Sequence, residues 1–168
     1  IYTPEDFGLF AIFIAITAIF GSIVNARYDL AIMLPKKNED AINLFALGFL
    51  ITTIISSFFL VLVIIFNQNL VHYLGNKEIG IWLYFLPLTI FLTGIWNILS
   101  HFNNRKKKYK ILAKATILKS ILLASFQLCV GYFKSGVTGL ISGQIISNAF
   151  VNIKLILIIL KDKTFVSK

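Results

Sequence analysis

Residues 41–66 read AINLFALGFLITTIISSFFLVLVIIF, an uninterrupted run without a single charged side chain. About 20 apolar residues in a helix are enough to cross a hydrocarbon core about 30 Å thick, so this run is a membrane span by length and composition. Two further stretches, 7–26 and 79–99, meet the same test. Another two, 111–133 and 137–160, have suitable lengths but carry Lys114 and Lys119 in the first and Lys154 in the second. They read as spans whose cations either snorkel to the interface or serve a function.

Composition agrees with five spans. Of the 168 residues 58% are hydrophobic and 14% charged, whereas about a quarter of a soluble domain is charged. An ordinary soluble domain is thereby excluded. The net charge of +9 admits nucleic acid, anionic lipid or an anionic substrate as partner, and the placement of the charges has to decide.

Lys and Arg accumulate in cytoplasmic loops. Arg27, Lys36 and Lys37, then Arg105, Lys106, Lys107, Lys108, Lys110, Lys114 and Lys119, then Lys154, Lys161, Lys163 and Lys168 fall on one side of the five-span arrangement, against Lys77 and Lys134 on the other. The expected orientation puts the amino terminus outside and the carboxyl terminus inside. The basic run 105–110 then reads as a topology determinant facing anionic headgroups, and nucleic acid is not an expected partner because no soluble fold surrounds the run. Ile1 stands where a start would carry Met, no basic region precedes the first span, and 165–168 resemble the start of a linker. The expectation is a segment of a longer protein whose first helix lies upstream.

Polar residues inside a span should face protein or a water-filled cavity. In the last span Gln144, Asn148 and Asn152 recur every four residues, with Gly139, Gly143 and Ser147 forming a small-residue series on the opposite side. One face is expected to pack and the other to look into a polar interior. In the fourth span Thr116, Lys119, Ser120 and Gln127 share one arc, with Lys114 pointing away. Lys119 is placed either to meet a phosphate-bearing substrate in a cavity or to snorkel. The stripes Thr17, Gly21, Asn25 and Gly48, Thr52, Ser56 read as packing seams. Asp29 follows Arg27 closely enough for a local ion pair or a structural role in the turn.

Other features read more plainly. Pro87 removes a helix hydrogen bond within the third span and is expected to kink it. Trp82 and Trp96 are about 21 Å apart along a continuous helix, which would bring them towards opposite interfaces. Cys129, the single cysteine, is expected to pack as an inert small hydrophobe. His72 and His101 stand alone in the sequence, and all seven carboxylates lie outside the clear spans. No metal-ligand spacing, nucleophile triad or phosphate loop is present, so an enzyme is not expected, nor a metal or other cofactor.

The opening segment YTPEDFGLF (2–10) and the later RYDLAIMLP (27–35), followed by a basic loop ending Lys-Tyr-Lys and a short Gly-containing turn at 135–139, resemble the polysaccharide exporters of the MATE-like flippase superfamily. The resemblance runs over nearly the whole chain. It implies an all-α integral membrane fold, with residues 1–168 as a single transmembrane domain forming helices two to six, most of one six-helix lobe, of a two-lobe transporter. It also implies translocation of a lipid-linked (undecaprenyl-diphosphate) oligosaccharide, such as an O-antigen or capsule repeat unit, across the bacterial cytoplasmic membrane. Implied partners are that lipid-linked oligosaccharide, the membrane lipids and other polysaccharide-assembly membrane proteins. Helical faces nominate Arg27 and Lys119 as anion contacts and Gln127, Gln144, Asn148 and Asn152 as hydrogen-bonding partners of sugar hydroxyls, Arg27 also lying within the matching segment. Two alternatives stand beside this. A cation-coupled small-molecule exporter would call for an acidic residue within the membrane, and a non-transporting membrane scaffold or fragment would need no site.

Overall fold

A computed structural model describes residues 2–75, 79–133 and 136–161, and among these the chain is all helical. The elements are α1 (Pro4–Ile23), α2 (Tyr28–Ala31), α3 (Asn38–Leu74), α4 (Ile79–Leu83), α5 (Leu86–Arg105), α6 (Tyr109–Phe133) and α7 (Thr138–Leu160). With α4 and α5 counted as one crossing, five spans among the described residues are long and apolar enough to traverse a membrane. The chain is a multi-pass membrane protein. Lys77, Lys134, Lys163 and Lys168 lie outside the described residues, as do residues 165–168.

Local chemistry moves several span boundaries. α1 starts at Pro4 and not at residue 7 because Thr3 and Asp6 close a capping box. The Thr3 hydroxyl oxygen accepts from the Asp6 amide at 3.2 Å, and the Asp6 carboxylate accepts from the Thr3 amide at 2.8 Å. Pro4 sits in the first turn, where a missing N–H costs nothing. Thr3→Ala is expected to destabilise the protein by about 1 kcal/mol, read as a lower melting temperature in detergent. An unchanged melting temperature would show that the box contributes nothing.

The other end of α1 also falls short of residue 26. Ala26 and Arg27 adopt left-handed backbone angles, φ 47° and 63°, which end the helix in a tight turn. α3 runs for 37 residues, about 55 Å at about 1.5 Å per residue. Nothing in Asn67-Gln68-Asn69 breaks it, and it stops only where Gly75 takes φ 69°.

Pro87 does not kink a continuous helix. The chain breaks at Tyr84 and Phe85, and α5 begins afresh with Pro87 in its first turn. The break also removes the single helical axis on which the spacing of Trp82 and Trp96 was measured.

α5 is the centre of the bundle, packed against α1, α3 and α7, while α6 leans chiefly on α7. Small residues set the close approaches. A Cβ on Gly94 of α5 would lie 2.5 Å from Thr52 Cγ2 and 2.9 Å from Val24 Cγ1. On α7, a Cβ on Gly143 would lie 3.0 Å from Gln127 Cγ, so the glycine side of that helix packs on α6 as its spacing suggested. Polar groups fasten the same seams. Asn25, fully buried, donates to Thr52 Oγ1 at 2.7 Å and to the Gly94 carbonyl at 3.1 Å, and its own oxygen accepts from Asn97 at 3.2 Å.

Exposed apolar side chains cover the outside, among them Phe58, Ile64, Ile117, Leu128 and Ile153. Lipid is their natural solvent. Cys129 belongs to this outer surface: it is exposed rather than packed inside, because the inner face of α6 is the one carrying Lys119 and Gln127.

Loops sort to two ends. At one, Arg105 donates to the Pro35 carbonyl, and to the Lys37 carbonyl at 3.1 Å, tying the α2–α3 turn to the end of α5. Asp29 meets His101 there at 3.4 Å, so neither Arg27 pairing for Asp29 nor an isolated His101 describes the turn. At the other end the Tyr2 hydroxyl donates to the Gln127 carbonyl at 2.5 Å. Burial and the nearby Asp6 carboxylate push the Tyr2 phenol above its ordinary range, which keeps it a neutral donor.

Candidate functional site

Between α1, α5, α6 and α7 lies a cavity of about 190 Å³ whose polar lining is Thr17, Thr89, Thr93, Lys119, Gln144 and Asn148. Each element contributes for a local reason. Gln144 and Asn148 are one turn apart on α7, on the side away from the glycines that pack on α6. Thr89 and Thr93 repeat that spacing on α5. Phe13 and Ile14 of α1 supply an apolar wall.

Lys119 is the sole charge among the described lining residues. Its ammonium sits over the Trp96 ring, 5.1 Å from the centroid, a contact worth about 0.5–2 kcal/mol depending on desolvation. The lysine therefore turns inward, towards α5 and α7, and does not reach along α6 to an interface. It lies ten residues into a 25-residue helix, about 15 Å from the Tyr109 end.

The threonines present themselves as acceptors. Thr17 donates its hydroxyl proton to the Phe13 carbonyl at 2.8 Å, Thr89 to Phe85 at 2.9 Å and Thr93 to Thr89 at 2.8 Å. Each oxygen keeps lone pairs for a donor in the cavity. Together with the donor and acceptor ends of two amides and one ammonium, this set suits a ligand bearing both negative charge and hydroxyl groups. Among the described residues the lining holds no carboxylate, histidine or cysteine, and no cluster has metal-ligand character.

Of the six residues nominated from sequence, Lys119, Gln144 and Asn148 are brought together here. The other three lie elsewhere. Gln127 donates to the Leu140 carbonyl at 3.3 Å and fills the α6–α7 seam. Asn152, 2% exposed, donates to the Leu92 carbonyl at 2.7 Å and so joins α7 to α5. Arg27 occupies the exposed left-handed turn before α2. Thr116 and Ser120 are exposed and bond to their own helix at Leu112 and Thr116.

Thr89, Thr93 and Trp96 were missed, and Thr17 was read only as a seam residue. A signal existed for the first two: Thr89, Thr93 and Asn97 form a four-residue repeat like the one on α7. Trp96 gave none, since a tryptophan near a span end ordinarily reads as an interfacial anchor.

No curated protein and no solved structure matches the chain. The family model described as polysaccharide biosynthesis protein matches residues 1–165. With membrane-spanning helices throughout and nearly the whole length matched, the chain belongs to the polysaccharide biosynthesis protein family.

Proposed function

We propose that the chain takes part in moving a lipid-linked oligosaccharide across the bacterial cytoplasmic membrane for surface polysaccharide assembly. The observation that carries this reading is a lysine turned into a polar cavity at mid-depth in a membrane bundle of this family. A charged side chain at the centre of a bilayer costs about 2.5–3.5 kcal/mol by insertion scales, so its retention asks for a compensating role. A diphosphate-linked sugar cannot cross hydrocarbon bare, and the cavity offers its anionic group a cation and its hydroxyls a set of amides and threonine oxygens.

The cavity is too small for a whole oligosaccharide. It fits one part of a larger passage, which accords with this chain forming most of one lobe of a two-lobe carrier that rocks to expose the site to each side in turn. Lys119 would hold the anionic group, and Gln144, Asn148 and the three threonines would replace the water lost by sugar hydroxyls. The turns at 24–37 and 106–108 would face the cytoplasm by their basic character, with the amino terminus outside. A cation-coupled exporter is less well supported, since no carboxylate lines the cavity among the described residues. The role is one of binding and transport, without catalysis.

Depleting the protein in cells is expected to accumulate lipid-linked repeat units in the inner leaflet and to strip polysaccharide from the surface. Unchanged lipid intermediates together with normal surface polysaccharide would overturn the reading.

A further inference from the structure

The cavity around Lys119 uses only one of the basic residues. A second, larger recess of about 640 Å³ opens where the α2–α3 turn meets the α5–α6 turn, and Lys36, Arg105, Lys106, Lys107 and Lys108 all line it. None of its lining residues is shared with the Lys119 cavity. Among the described residues no carboxylate lines it either, although Glu39 and Asp40 stand in the first turn of α3 nearby.

The recess has a fixed frame. Arg105 is spent on structure, bonded to the Pro35 and Lys37 carbonyls and to Asn38 Oδ1 at 3.5 Å. Lys107 takes a left-handed φ of 54°, held by its amide on the Asn104 carbonyl at 2.9 Å. Lys106 lies 4.9 Å over the Phe102 ring. Asn38 and Tyr109, which begin α3 and α6, also line the recess, so the positive ends of two long helices add to its potential.

A deep apolar groove of about 790 Å³ runs beside it, floored by Ile95, Ile98 and Leu99 of α5 and walled by Ile42 and Phe49 of α3 and Ile159 of α7. The two recesses share helix faces. Asn38 and Ile42 are one turn apart on α3, about 6 Å, and Ile98 and Arg105 are two turns apart on α5, about 10.5 Å. A cationic recess therefore stands at the mouth of an apolar groove, the complement of a molecule with an anionic head and a hydrocarbon chain.

We propose that this end of the bundle binds an anionic membrane phospholipid, with its phosphate between Lys36 and Lys107 and an acyl chain in the α3–α7 groove. Basic pockets at the cytoplasmic ends of membrane helices recognise anionic headgroups in this way. The site is separate from the transport cavity, and its occupancy does not depend on whether that cavity carries a sugar. A polyprenyl phosphate offers the same head chemistry, and the test separates it from the phospholipid.

The full chain is reconstituted into nanodiscs of phosphatidylcholine mixed equally with phosphatidylglycerol, or doped with polyprenyl phosphate, and the lipid retained on extraction is measured by native mass spectrometry. Retention of phosphatidylglycerol in preference to phosphatidylcholine supports the proposal. Retention of polyprenyl phosphate without phosphatidylglycerol would overturn it. The double variant Lys36→Gln, Lys107→Asn removes two exposed charges, and the Asn tolerates the left-handed backbone. It is expected to weaken retention about thirtyfold, about 2 kcal/mol at about 1 kcal/mol per cation. Lys36→Arg with Lys107→Arg should retain the lipid, and equal melting temperatures for both double variants exclude misfolding as the cause. No preference over phosphatidylcholine, or retention indifferent to the loss of both charges, would overturn the proposal. So would crosslinks showing a protein segment or a second copy seated in the α3–α7 groove.

Discussion

Replacing Lys119 with methionine is expected to cut translocation of lipid-linked oligosaccharide about ten- to a hundredfold while the protein still folds and accumulates in the membrane. Hydrogen bonds to charged groups contribute about 1.5–3 kcal/mol, and about 1.4 kcal/mol corresponds to a factor of ten. Methionine keeps an unbranched apolar side chain at this position and removes the ammonium that sits over the Trp96 ring. Lys119→Arg retains the charge and should keep a substantial share of activity, whereas Gln144→Leu should lose less than Lys119→Met because a neutral amide contributes about 0.5–1.5 kcal/mol. The informative control is Gln127→Leu. Gln127 fills the α6–α7 seam through its bond to the Leu140 carbonyl, so its loss should lower the melting temperature and spare transport per folded molecule. Equal transport by Lys119→Met and the parent would remove the lysine from the site.

Gly94→Leu should have the largest effect on stability of any single substitution in the seams. The Cβ alone would lie 2.5 Å from Thr52 Cγ2, 2.9 Å from Val24 Cγ1 and 3.3 Å from Asn25 Nδ2. Overpacking a close seam costs about 1–3 kcal/mol and occasionally more. Here it also drives apart the Asn25 amide and its partners on Thr52, Gly94 and Asn97, in a low-dielectric setting where each orphaned polar group costs about 1–3 kcal/mol. The expected total is about 3 kcal/mol or more, enough to abolish recovery of folded protein in a mild detergent. Gly8→Ala is the matched control, since no atom lies within 4 Å of the position its Cβ would take. Folded yield of Gly94→Leu equal to that of Gly8→Ala would contradict the packing described for α3 and α5.

The spans were legible because a bilayer imposes one rule that sequence can be read against directly: an uncharged apolar run long enough to cross. Their ends were not, because ends are decided by single residues. Thr3 and Asp6 start α1 early, the left-handed pair Ala26 and Arg27 stops it early, and the absence of any breaker before Gly75 lets α3 run on. Pro87 shows the same limit. Its ring forbids a hydrogen bond wherever it sits, but only the neighbouring chain decides whether the helix bends around it or restarts at it.

The candidate site was half legible for a related reason. Periodicity gives the face of one helix, so Gln144 and Asn148 on α7 and Lys119 on α6 could be nominated one helix at a time. It does not give the rotation of that helix against its neighbours. Asn152 shares the α7 stripe yet meets the Leu92 carbonyl, and Gln127 shares the arc of Lys119 yet meets the backbone of α7. The pairing of Asp29 with His101 joins residues 72 positions apart that no local pattern connects.

The most direct measurement places the complete protein in proteoliposomes with a fluorescent polyprenyl-diphosphate oligosaccharide in the donor leaflet and follows its arrival in the other leaflet with a membrane-impermeant quencher. Transfer by the parent protein well above empty liposomes, with Lys119→Met reduced at least about tenfold, is the expected result. Transfer no faster than in empty liposomes, from protein that is folded and inserted, would contradict a role in translocation.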